Sequence, residues 1–128
     1  TDTLVERLQQ SRLNIVMVIH ANHANELSDD VAGALATLKN MTLLNQAVLL
    51  NNINDTPDTQ IALQQRLFKI GVLPYYLHLL DPVAGTAHFE VSRDEGQKLI
   101  TAMQAKLPGY LVPKLVREVA GEANKLGL

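Results

Sequence analysis

Residues 42–80 read TLLNQAVLLNNINDTPDTQIALQQRLFKIGVLPYYLHLL, and this stretch decides the fold. It opens with an apolar run, Thr42 to Leu50, and closes with another, Val72 to Leu80. Both are strand-sized and near-continuously apolar, the pattern of parallel strands covered on both sides. Between them, Asp55-Thr56-Pro57-Asp58 opens a helix, with Pro57 near the first helical position, where its missing N–H costs nothing. Ile61, Leu63, Leu67, Phe68 and Ile70 recur at helical spacing up to Gly71, a good C-cap. Strand, helix and strand in about forty residues make one βαβ unit.

The same rhythm extends in both directions. Leu13 to Ile19 is a third apolar run and Tyr110 to Val116 a fourth. Ser28-Asp29-Asp30 caps a helix reaching Lys39, and Ser92-Arg93-Asp94-Glu95 has capping-box spacing before Leu99, Ile100 and Met103. A short amphipathic helix at Leu4, Val5 and Leu8 precedes the first strand. Strict alternation predicts an α/β fold with a parallel sheet and right-handed crossovers. A closed barrel of this kind takes about 250 residues, and the chain has 128. The expectation is therefore a partial parallel β/α barrel of four βα units, with residues 1–128 as one domain cut from a larger protein. An open doubly wound sheet is the alternative, but no GxGxxG follows the first strand.

Composition narrows the function classes. Hydrophobic residues make up 47% of the chain, a globular proportion. Net charge is −2 with basic residues scattered, which gives no reason to expect nucleic acid or an anionic membrane as partner. No apolar run approaches the ~20 residues of a membrane helix. There is no signal-peptide core at the start, and a cytoplasmic location is expected. The chain has no cysteine, hence no disulfide, thiolate nucleophile or cysteine-held metal.

In β/α barrels the chemistry lies past the C-terminal ends of the strands. There the sequence places His20-Ala21-Asn22-His23-Ala24-Asn25-Glu26, then Asn51-Asn52-Ile53-Asn54-Asp55, then Asp81 with His78 just inside its strand, then Arg117, Glu118 and Lys125. Each residue also has a plain reading. His20, His23 and Glu26 have loop spacing that suits either metal ligation or turn formation, and the turn is favoured. Asn54-Asp55 reads as a turn and helix cap, and Asp81-Pro82 as a turn starter. Gln46 is an amide inside an apolar strand, so it serves as structural glue or as a ligand contact. A small-ligand-binding domain, or a hydrolase or aldolase barrel using Asp81, Glu118 or His78 as acid–base groups, remains open on these residues alone.

Taken in order, the blocks His20-Ala-Asn22-His23-Ala-Asn25-Glu26, Leu43-Leu44-Asn45-Gln46-Ala-Val48-Leu49-Leu50 with Ile53-Asn54-Asp55, Leu73-Pro74-Tyr75-Tyr76 with Asp81, His88-Phe89, and Gly109-Tyr110-Leu-Val112-Pro113 resemble the lysine 2,3-aminomutase family. The tail Val112 to Glu118, with Gly121-Glu122-Ala-Asn-Lys125, is most similar to the branch that makes (R)-β-lysine for modifying elongation factor P. At Lys39-Asn40-Met41-Thr42 the chain is shorter than the family pattern, where a glycine usually intervenes.

The resemblance implies a radical S-adenosylmethionine isomerase that moves the α-amino group of lysine to the β-carbon. Its cofactors would be S-adenosylmethionine, an iron–sulfur cluster held by a Cys-x3-Cys-x2-Cys motif outside this chain, and pyridoxal phosphate. Carried over by motif, Lys125 is the lysine that binds pyridoxal phosphate. Asp81 and Glu118 hold the distal ammonium of the substrate, and His20, Asn22, His23 and Gln46 stand near the cofactors. No residue here is expected to bind metal, and the chain alone is expected to be inactive. Sheet physics adds one expectation. A sheet cut from a barrel leaves bare edges at its first and fourth strands. Two copies should then pair through interior residues such as Val16, Val18, Leu44 and Leu77.

Overall fold

The computed structural model describes residues 2–10, 14–80, 89–117 and 126–127. Helix α1 (Asp2–Gln10) precedes β1 (Ile15–His20); then follow α2 (Asp29–Ala36), β2 (Met41–Leu49), α3 (Pro57–Lys69), β3 (Leu73–Leu79), α4 (Arg93–Gln104), β4 (Lys114–Arg117) and β5 (Leu126–Gly127). The sheet has the spatial order β1-β2-β3-β4-β5. The first four strands are parallel, as the β-α alternation predicts. β5 runs antiparallel to β4.

Local chemistry explains the helix boundaries. Thr56 caps α3, its hydroxyl accepting from the Thr59 N–H, with Pro57 in the first turn. Ser28 and Ser92 cap α2 and α4 in the same way. α3 ends where Gly71 takes φ +89°, a left-handed conformation that costs glycine nothing. Asn40 stands at φ +65° just before β2. Asparagine is among the few non-glycine residues that tolerate this region.

Several expectations need correction. The fourth strand begins at Lys114, not Tyr110, because Gly109–Leu111 forms a 3-10 turn after Pro108 and Pro113 has no N–H to donate to a ladder. The helix from Ser28 stops at Ala36 rather than Lys39, with Thr37 as its C-cap. Among the described residues, β1 is a bare edge but β4 is not, since β5 pairs with it.

The strands are also not buried on both faces. Along β2, Leu43, Asn45, Ala47 and Leu49 are buried, while Leu44, Gln46, Val48 and Leu50 are half-buried. The buried set meets Leu63 and Leu67 of α3, Leu99 and Met103 of α4, and Leu77, Leu79 and Leu115 of the neighbouring strands in one core. Leu77 is fully buried in that core, so it is not an interior-face residue. The bulge at Asn45/Gln46 against β3 shifts the register there, and alternation then carries Leu77 to the helix side. The opposite face carries Val16 at 56% and Val18 at 36% exposure. We call it the open face.

Candidate functional site

The open face turns polar toward the C-terminal ends of the strands. His20 closes β1 and is in register with Gln46 on β2. Gln46 is in register with Tyr76 on β3, and Val48 with His78. Residues in register share a face, so His20, Gln46, Tyr76 and His78 form one patch. His78 Nε2 lies 3.0 Å from Gln46 Oε1, which makes the imidazole nitrogen the donor. The Tyr76 and His78 rings meet edge to face, with centroids 5.7 Å apart. His20 is exposed. Gln46 is thus held by a histidine and retains amide donors beyond that bond.

Past His20 the chain leaves the sheet, and side chains replace the strand ladder. The buried Asn45 amide grips Ala21 twice: Oδ1 accepts from the Ala21 N–H at 2.8 Å, and Nδ2 donates to the Ala21 carbonyl at 3.0 Å. Glu26 Oε2 accepts from the N–H groups of Asn22 and His23, the latter at 2.8 Å. Asn54 Nδ2 donates to the Asn22 carbonyl at 2.8 Å and to the Val48 carbonyl at 2.9 Å. Its Oδ1 accepts from the Leu50 N–H at 2.8 Å. Asn22 returns the connection, its Oδ1 accepting from the Val48 N–H at 2.9 Å. Every main-chain polar group of Ala21 and Asn22 therefore has a side-chain partner. His23 Nδ1 accepts from the Asn25 N–H at 3.1 Å and caps the short turn Ala24–Glu26.

These bonds sort the sequence candidates. His20 and Gln46 stand together on the open face. Asn22 and His23 follow, each with one side-chain atom engaged in holding the loop, and Glu26 serves as a capping carboxylate. Asn54 is fully buried and does not cap α3, because Thr56 does; Asn54 instead ties β1 to β2. Asp81, Glu118 and Lys125 lie outside the described residues. Two contributors escaped the sequence reading. Asn45 was visible as a polar residue in an apolar run, beside Gln46. Tyr76, two positions before His78, reads as an ordinary strand aromatic until the register sets it beside Gln46. Among the described residues, no group of three or more His, Cys, Asp or Glu could hold a metal ion, and none of the helices is long and apolar enough to cross a membrane.

A parallel β/α sheet with α2, α3 and α4 on one side and a polar patch at the strand ends is the architecture of a partial β/α barrel. The fold matches a radical SAM methyltransferase from Sphaerobacter thermophilus with a TM-score of 0.59, over 91% of this chain and 38% of that one, at 13% identity. In sequence, the chain is 48% identical to the L-lysine 2,3-aminomutase of Escherichia coli over its whole length. It is also 48% identical to the Haemophilus influenzae enzyme of that name, over 98% of its length. A glutamate 2,3-aminomutase from Clostridioides difficile is 36% identical over 76% of the chain. The chain belongs to the lysine 2,3-aminomutase family. It spans 38% of the length of the Escherichia coli and Haemophilus influenzae relatives. No family model matches it.

Proposed function

We propose that this chain forms part of an isomerase that converts L-α-lysine to β-lysine. The observation that supports this most is the 48% identity to a lysine 2,3-aminomutase sustained from end to end of the chain. Modification of elongation factor P is the use we propose for the product, on the tail motif ending in Lys125, and the cytoplasm is the location.

The donor set gives a test of the cofactors. With no cysteine in the sequence and no metal-binding cluster among the described residues, the residues present do not fit an iron–sulfur cluster. The patch of His20, Gln46, Tyr76 and His78 groups ring edges and amide donors at the strand ends, the chemistry that would hold a heteroaromatic cofactor. When bound, S-adenosylmethionine would supply an organic radical on taking one electron from an iron–sulfur cluster that residues of this chain do not hold, and pyridoxal phosphate would supply a conjugated ring able to stabilise a neighbouring radical. The chain's own residues bind and orient. Lys125 offers the amine that anchors pyridoxal phosphate. Asp81 and Glu118 neutralise the distal ammonium of lysine. Gln46, oriented by His78, and His20 would contact the cofactors from the open face, with Asn22 and His23 beside them.

Val16 and Val18, exposed on that same face, together with the bare edge of β1, support association of the isolated chain with a second copy. Its interface would include Leu44 but not Leu77.

The deciding experiment uses the protein expressed from its native reading frame. Borohydride reduction with pyridoxal phosphate should label Lys125 and no other lysine. Asp81→Ala and Glu118→Ala should each lower lysine turnover by about 2–5 kcal/mol of binding while pyridoxal phosphate uptake stays intact. Labelling at Lys114, or unchanged turnover in both variants, would remove these assignments.

A further inference from the structure

The knot that holds the β1 exit does not end at Asn54. The main-chain carbonyl of Asn54 accepts from Gln60 Nε2 at 2.8 Å. Gln60 Oε1 in turn accepts from Gln64 Nε2 at 3.2 Å. Both glutamines sit on the inner side of α3 and are essentially inaccessible, at 0% and 1% exposure. Gln64 Oε1 is buried with no partner. An amide pair that leaves one acceptor unsatisfied is a poor way to fill a helix–sheet interface. Leucine or methionine would occupy the same space without that loss. Packing therefore does not explain the pair, and its contact with Asn54 does.

We propose that Gln60 is a positioning residue, acting through Asn54 to set where His20 and Gln46 stand. The chain of contacts is continuous: Gln60 to the Asn54 carbonyl, Asn54 Nδ2 to the Asn22 and Val48 carbonyls, and Asn22 Oδ1 to the Val48 N–H. His20 lies two residues before Asn22 and Gln46 two before Val48, so the tie spans both exits just beyond the patch. Gln60 touches neither residue. It fixes the loop from Leu50 to Asn54 against α3, and that loop holds the two strand ends at constant separation. The structural part of this proposal stands alone; its effect on turnover rests on the aminomutase reading.

The test is Gln60→Met, in protein expressed from the native reading frame. Methionine keeps the volume and removes the donor to Asn54. Hydrogen exchange at the Val48 and Leu50 amides should accelerate by about tenfold, while Leu63 and Leu67 in α3 keep their native protection. In lysine turnover, kcat should fall several-fold with KM nearly unchanged, because neither Gln60 nor Asn54 is among the residues assigned to the lysine ammonium. Asn54→Asp, which keeps the acceptor for Leu50 but loses both donors, should reproduce the pattern and serves if Gln60→Met does not fold. Native exchange at Val48 and Leu50, or acceleration spread evenly over the domain, would overturn the proposal. Should the wild-type protein show no lysine isomerisation, the functional reading fails, while the exchange data still decide the positioning role.

Discussion

The two faces of β2 differ more than any two segments of the chain. On one, Leu43, Ala47 and Leu49 join a core with α3 and α4 that excludes solvent. On the other, Leu44, Gln46, Val48 and Leu50 remain half-buried, beside exposed Val16 and Val18. The apolar character of the two sets is similar, so hydrophobicity does not distinguish them. The difference lies in what covers each face. The helix side is completed by local crossovers, because each strand brings its own helix. Among the described residues, the open side has no such covering over Val16 and Val18. A face of that kind is where the interior of a β/α barrel belongs, with a ligand at the C-terminal ends of its strands.

The largest expected effect tests the helix side. Leu77→Ala removes a fully buried side chain from the core and should destabilise the domain by about 2–5 kcal/mol in denaturant unfolding. A loss under about 1 kcal/mol would mean that this face is not the closed one. A smaller effect of opposite sign is expected at the thin end of the helical layer. Gly33, inside α2, has nothing within 4 Å of where a Cβ would stand, and α2 has no buried residue. Gly33→Ala should therefore stabilise by about 0.5–1 kcal/mol, read as a raised melting temperature. The contrast is Gly96 in α4, where a Cβ would meet the Leu115 side chain at 3.1 Å, so helix propensity and crowding oppose each other there. The smallest effect belongs to the open face. Val18→Thr should change the stability of the isolated monomer by no more than about 0.5 kcal/mol, while weakening any self-association detected by sedimentation. A large destabilisation at Val18 would show that this face is covered within the chain itself.

Much of the fold was legible because its signals are local. Pro57 and Gly71 bracket α3, Ser28 and Ser92 cap their helices, and four apolar runs give the parallel strands. Tyr110 misled because Gly109–Leu111 turns before Pro113, and an apolar residue in a turn resembles one in a strand. β5 could not be anticipated, since a two-residue strand has no periodicity and forms only by pairing with β4. The candidate site divides in the same way. His20, Asn22, His23 and Gln46 stood out by position and by resemblance. The role of Asn54 did not, because an asparagine before a helix reads as a cap unless the carbonyls it reaches are known.

The sequence by itself determined the order of strands and helices, the family, and which residue types gather at the strand ends. Those follow from caps, periodicity and motif, all properties of neighbouring residues. Only the tertiary structure decided which face of each strand is covered and which amides act on the main chain rather than on a ligand. The reason is physical. A one-residue bulge at Asn45/Gln46 settles which side chains of β3 face the core. The hydrogen bonds of Asn45, Asn54 and Gln60 depend on partners brought near by folding, up to 24 residues away for Asn45 and 32 for Asn54.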